Sequence, residues 1–376
     1  MYVYLDNNAT TRPLPEVIDA MSEHFRDSYA NPGSRHMPGR KARQALEEAR
    51  ERIAEVLDAD PKEVILTSGG TESTNMALLG FADQEPGTIL LTAGEHPATL
   101  ETCHQLLPRG WSIQMMEVDE HGLLRSDLLP DLDWSSVRMA SIILAHNETG
   151  VIQDIAPLVE LCSRHEVPFH LDAVQAVGKI PVSFRDSGVT TLALGAHKFH
   201  GPRGIGALLV KEGTRLPPMQ FGGHQEGGLR PGTEAVALAV GMAKALELFH
   251  KHFGQRTARL SELRDRLQAG LVERCGPTVV NGGESDRLPN TLNIAFPGLY
   301  GEAMLVALDL EGIACSLGST CASGSADPAP ALVAMGCPEE VYTAAVRFSV
   351  GVENTESEID AAIGMISTVI NRMRDA

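Results

Sequence analysis

Through the first two thirds of the chain, short apolar runs rich in β-branched residues alternate with longer stretches whose apolar positions recur at helical spacing. The runs "EVILTS", "TILLTA", "MASIILAHN", "VPFHLDA", "TTLALGA" and "IGALLV" read as strands. That alternation predicts an α/β fold in which a mainly parallel sheet is covered by helices on both faces. The long helical pattern from Gly232 to Phe253 reads as the element that closes this unit. Beyond it come a helix near Thr257 to Glu273, the strand "TLNIAF", the helix "GEAMLVALDLEG" and a last helix "TESEIDAAIGMISTVINRM". The changed order of elements predicts a smaller α+β domain. The expected division is a large domain over residues 14–255 and a small one over 256–376 joined by 1–13.

Composition narrows the function. At 376 residues the chain exceeds what one small core organises. With 31 Lys and Arg against 49 Asp and Glu, the net charge of −18 disfavours a generic nucleic-acid or anionic-membrane surface, so an anionic ligand needs a local pocket. "MYVYLDNNATT" lacks a basic region followed by an apolar run, and no stretch of eighteen apolar residues occurs, so a cytoplasmic location without a membrane span is expected. The six cysteines are scattered through a large chain, which suits reduced thiols.

Three strand ends carry candidate chemistry. "VILTSGGTESTN" passes from an apolar run through glycines into a helix starting near Glu72, where exposed N–H groups and the helix dipole offer an anion site; such a turn is also often only a turn. In "HLDAVQAVG", Asp172 and Gln175 follow a strand, and ligands of open α/β sheets bind at the carboxyl ends of strands. Asp172 could hold a protonated ring nitrogen and Gln175 donate to a nearby oxygen, or Asp172 could cap a helix. In "LGAHKFHGPRGIGAL", Lys198 follows an apolar strand and precedes a glycine-rich turn, the setting of a lysine drawn into a site, where a Schiff-base lysine must be partly desolvated. Together, phosphate turn, aspartate and lysine describe a pyridoxal phosphate site.

A fourth segment, "ACSLGSTCASGS", holds Cys315 and Cys321 six residues apart among small residues. That spacing is wider than the usual pairing of zinc cysteines and argues only weakly against a metal site, so a metal site, a disulfide and a single reactive thiol on a mobile loop all stay open.

In order along the chain, "YLDNNATT", "NPGSRH", "TSGGTESTN", "EHPATLET", "NETGVIQDI", "HLDAVQAVGK", "AHKFHGPRGIGAL", "GGHQEGGLRPGT", "GSTCASGS" and "VRFSVG" resemble the cysteine desulfurases, class V members of the fold type I pyridoxal phosphate enzymes. The resemblance implies that Gly70 and Thr71 hold the cofactor phosphate with His197 and, from a partner subunit of a homodimer, Thr233. It implies that Lys198 binds the cofactor covalently, Asp172 pairs with the pyridine nitrogen, Gln175 contacts the phenolic oxygen and His96 stacks on the ring. Asn147 would also touch the cofactor and, with Arg347, orient the carboxylate of the substrate L-cysteine.

Cys321 is the implied nucleophile, becoming a persulfide that passes to an acceptor in iron–sulfur cluster assembly or tRNA thiolation, with transient contact to iron–sulfur species and no resident metal. Cys315, ending the apolar run "GIAC", is expected to pack as a small buried residue. One departure stands out: Gly195 occupies the position where family members commonly carry a phosphate-binding serine. The alternatives are another class V enzyme, such as a selenocysteine lyase or an aminotransferase, and a non-catalytic sulfur-relay scaffold.

Overall fold

The structure is a computed structural model that describes residues 2–317 and 329–375. Its strands are β1 (Val3–Tyr4), β2 (Val64–Thr67), β3 (Thr88–Thr92), β4 (Ser112–Met116), β5 (Val137–Ile143), β6 (Phe169–Asp172), β7 (Thr191–Gly195), β8 (Gly206–Val210), β9 (Val279–Asn281), β10 (Thr291–Ala295), β11 (Ile313–Ala314) and β12 (Ala345–Ser349). A seven-stranded sheet has the order β2-β8-β7-β6-β5-β3-β4. Only β8 runs against its neighbours, so the sheet is mainly parallel as expected.

β2, β6, β7 and β8 are buried at every residue, because helices cover both faces and no polar alternation is needed. Helices Pro15–Asp27 and Met37–Leu57 pack against Val236–Lys251 on one side. The sheet's outer edge, β4, is absent from the sequence expectations. Its residues are mixed in exposure, which leaves no continuous apolar run to read.

The last third forms an antiparallel sheet of order β12-β10-β9, with β1 and β11 paired in parallel beside it. Leu263, Leu267 and Leu271 of helix Phe253–Arg274 and Ile359, Ile363 and Ile366 of helix Glu356–Arg374 pack on this sheet in a hydrophobic cluster that also takes in Val3 and Leu5. The last helix opens on a capping box, in which Thr355 and Glu358 satisfy each other's backbone amides. The helix expected from Gly232 begins at Val236, because Gly232 sits at φ 115°, outside helical geometry. Cys315 is partly buried against the same cluster. Cys321 lies outside the described residues.

Candidate active site

β2, β3, β5, β6 and β7 all point the same way, so their carboxyl ends share one edge of the sheet. The residues following these ends are Gly70 and Thr71, Glu95 and His96, Asn147, Asp172 itself, and His197 with Lys198. Arg347 comes from β12 of the small sheet, and the segment after β1 supplies Asp6 and Asn8. The parallel topology thus gathers polar residues that are far apart in sequence.

At the first strand end, helix Gly70–Phe81 starts after Gly69 and directs its opening amides along this edge. A Cβ on Gly70 would lie 2.5 Å from Val174 Cγ2, so only glycine lets Val174 and this turn approach so closely. A Cβ on Gly195 would lie 3.5 Å from the Gly70 nitrogen and 3.6 Å from His197 Cδ2, which are ordinary contacts. His197 Nδ1 lies 3.2 Å from Thr10 Oγ1. Burial, reinforced by Lys198 and Arg203, lowers the His197 pKa to about 4, so the ring is neutral at pH 7.

Lys198 Nζ donates to the carbonyls of Asn8 at 2.7 Å and Ala9 at 3.0 Å. Burial lowers its pKa to about 8; Arg347 pushes the same way, against the opposing pull of Asp172 and Asp6. The amine is therefore closer to its neutral, nucleophilic form than a surface lysine. Asp172 is buried, and its Oδ1 accepts the Val174 N–H at 2.9 Å. Burial raises its pKa, while His96, the Val174 N–H and Lys198 favour the carboxylate. A cationic ligand atom is what such a carboxylate lacks. His96 caps helix Pro97–His104, accepting the Ala98 N–H on Nδ1 at 3.0 Å, and burial lowers its pKa.

Arg347 donates to the Asn147 carbonyl at 3.0 Å and to Asp6 Oδ1 at 2.7 Å. Among the described residues, Arg347 Nε and Asn147 Oδ1 are buried without hydrogen-bond partners, the state expected of groups that await a ligand. Thr233 is exposed in the loop before helix Val236–Lys251, and its expected role belongs to a partner subunit's site.

Several participants escaped the sequence expectations. Asn8 is fully buried and accepts from Lys198, Gln175, Lys179 and Asn290. Lys179 is buried beneath Gln175, and both lie within the quoted "HLDAVQAVGK". Glu95, beside His96, accepts from Thr92 Oγ1 and the Ile143 amide on Oε1, and burial lifts its pKa to about 8. The signal for Asn8 was its place in "YLDNNATT"; nothing in spacing alone distinguished Lys179 from a surface lysine.

The aminotransferase class-V model matches residues 3–362. The chain belongs to the class-V aminotransferase family. A cysteine desulfurase IscS of Dictyoglomus turgidum is 40% identical over 375 residues, covering 99% of this chain and 95% of that one. A cysteine desulfurase of Sinorhizobium fredii is 42% identical over 379 residues, covering 100% and 98%. Among solved structures, a NifS-like protein superposes with a TM-score of 0.92 at 34% identity, covering 99% of this chain and 100% of the other. One titled SspA in complex with cysteine has a TM-score of 0.82 at 30% identity, covering 94% and 99%.

This class-V family has the fold type I architecture and depends on pyridoxal phosphate. The site fits that cofactor. A glycine turn at a helix N-terminus suits a phosphate, the buried Asp172 suits a protonated ring nitrogen, and the depressed Lys198 suits an aldehyde.

Proposed function

We propose that the chain is a cysteine desulfurase that converts L-cysteine to L-alanine and leaves the sulfur as a persulfide on Cys321. The observation that carries this reading is Lys198, its pKa lowered to about 8, set beside the buried Asp172 and His96 at the sheet's carboxyl edge. The relatives at about 40% identity named cysteine desulfurase support it.

Pyridoxal phosphate, when bound, supplies an electron sink next to the substrate α-carbon. Gly70, Thr71 and His197 would hold its phosphate, with Thr233 contributed by the second subunit of a homodimer. Asp172 would keep the ring nitrogen charged, Gln175 would donate to the phenolic oxygen, and His96 would stack on the ring. Lys198 would hold the cofactor covalently and, as a free amine, would move the substrate's α-proton. Arg347 and Asn147 orient the substrate carboxylate.

Cys321, as thiolate, forms a bond to the substrate sulfur while the carbon–sulfur bond breaks, and the electron pair stays with the carbon skeleton. That skeleton takes up protons and leaves as alanine. In this reading His96 accepts the thiol proton. Four of the other five thiols, Cys103, Cys162, Cys275 and Cys337, are poor candidates for this attack. Burial pushes Cys103 and Cys162 up to about 12 and also raises Cys275 and Cys337, so none is a thiolate near neutral pH.

The proposal includes a protein acceptor for the persulfide, in iron–sulfur cluster assembly or tRNA thiolation, and a cytoplasmic location. Among the described residues no helix is long and apolar enough to cross a membrane, which is compatible with that location. It also keeps the division into residues 14–255 and 256–376 with 1–13, supported by the separate cluster around β10 and β12. Incubation of the holoenzyme with L-cysteine and dithiothreitol tests the reaction: alanine and sulfide should appear in equal amounts. Lys198→Ala should abolish both, and alanine without sulfide would overturn the proposal.

A further inference from the structure

Lys179 lies outside the roles assigned above, yet it is buried at the floor of the site, 4% exposed. Its Nζ donates to Gln175 Oε1 at 2.5 Å and to Asn8 Oδ1 at 2.9 Å. Both acceptors are side-chain amide oxygens. A primary amide presents an acceptor on one side and two donors on the other, so whatever binds the oxygen decides where the N–H groups point. For Gln175 the consequence is definite. With Oε1 held by Lys179, Nε2 faces away from it and donates to the Asn8 carbonyl at 2.9 Å. That leaves the second N–H of the same nitrogen for a ligand.

The Asn8 carbonyl also accepts from Lys198 Nζ at 2.7 Å, so Lys179, Gln175 and Lys198 meet around one residue. Asn290 Nδ2 adds a second donor to Asn8 Oδ1 at 3.0 Å, and Asn8 Nδ2 donates to Thr291 Oγ1 at 2.9 Å, which fixes the Asn8 amide as well.

We propose that Lys179 is a positioning residue that locks the Gln175 amide with its N–H side toward the cofactor's phenolic oxygen. This rests on the reading above that Gln175 faces that oxygen. Without Lys179, the Nε2 bond to the Asn8 carbonyl is left as the remaining hold on the Gln175 amide, and losing the Oε1 hold loosens the orientation that keeps two acceptors from meeting in a buried site. Burial, with Lys198 and Arg347 nearby, lowers the Lys179 pKa well below the usual lysine value. The lock survives loss of that charge, since a neutral amine retains two N–H groups for its two acceptors.

The test reads the bound cofactor's visible absorption band against pH in wild-type, Lys179→Met, Gln175→Ala and double-variant holoenzymes. A donor on the phenolic oxygen favours the form that has lost its proton, so losing it raises the band's apparent pKa. Gln175→Ala and Lys179→Met should each raise it, by about tenfold in the ionisation constant, the scale of one hydrogen bond to an ionised group. Because Lys179 acts through Gln175, adding Lys179→Met to Gln175→Ala should change nothing further.

An unchanged band in Gln175→Ala means that Gln175 does not face the phenolic oxygen, and the underlying reading fails. A shifted band in Gln175→Ala with an unchanged band in Lys179→Met overturns the positioning role alone, as does full additivity in the double variant. Should Lys179→Met not fold, Lys179→Gln is read in its place. Its amide ends about one bond short of the two oxygens, so an upward shift supports the proposal and an unchanged band overturns it.

Discussion

Arg50 and Glu226 form a buried two-pronged ion pair, Nη1 to Oε2 at 2.7 Å and Nη2 to Oε1 at 2.8 Å. Glu226 Oε2 also accepts the Leu66 amide of β2 at 2.8 Å. One carboxylate therefore ties the loop that leads to Thr233 onto the strand that leads to Gly70. Nearby, Arg230 reaches Glu72 in the first turn of helix Gly70–Phe81 at 2.9 Å, a second tie between the same two segments.

Removing Glu226 leaves the strand amide unpaired and takes both prongs of the carboxylate from the buried Arg50, which among the described residues keeps only the Val64 carbonyl and Glu47. Glu226→Ala should cost about 3–5 kcal/mol of stability, the scale for breaking a buried pair from one side. Urea unfolding of wild type and variant measures it; a loss below about 1 kcal/mol, the range of an exposed pair, would show that the tie carries little.

Gly195 offers a gain instead of a loss. Its backbone, φ −137° and ψ 122°, is ordinary extended geometry, and the space for a Cβ is open at normal contact distance from the Gly70 amide. Gly195→Ser adds a hydroxyl beside the phosphate cradle and should tighten pyridoxal phosphate binding by about 2- to 10-fold, the value of one hydrogen bond. Titration of apoprotein with cofactor, followed by absorbance, reads the change. Unchanged or weaker binding would indicate that the phosphate lies elsewhere.

Glu95 makes the stability of the cofactor-free protein depend on pH. Its folded pKa of about 8 lies above the usual 4.5, so between these values the folded state holds a proton that the unfolded state has released. The resulting stabilisation is complete below about 4.5 and is lost as pH rises through about 8. Both hydrogen bonds to the carboxyl fall on Oε1, which leaves Oε2 to carry the proton. Glu95→Gln should remove this dependence. Melting temperatures from pH 5 to 8.5 should show wild type losing ground to the variant, and parallel curves would contradict the assignment.

The large sheet was legible because its strands are buried on both faces and therefore appear as uninterrupted apolar runs. The exposed edge β4 carries no such run and escaped notice. The strand-end positions of Asp172, His96 and Lys198 were legible because each follows an apolar run in the sequence. Asn8 and Lys179 were not assigned, because their importance lies in contacts across the fold: Asn8 touches residues 290 and 291 from the other end of the chain. A lysine reads as a surface charge until the structure buries it between two amide oxygens.

The fate of the substrate's sulfur distinguishes a desulfurase from other class-V reactions. Holoenzyme given L-cysteine labelled on sulfur, then alkylated and digested, should yield the Cys321 peptide carrying one extra, labelled sulfur, with alanine formed in equal amount. Cys321→Ser should retain the cofactor's visible band while losing the labelled peptide and sulfide release. Label on another cysteine, or undiminished sulfide release from Cys321→Ser, would contradict the account.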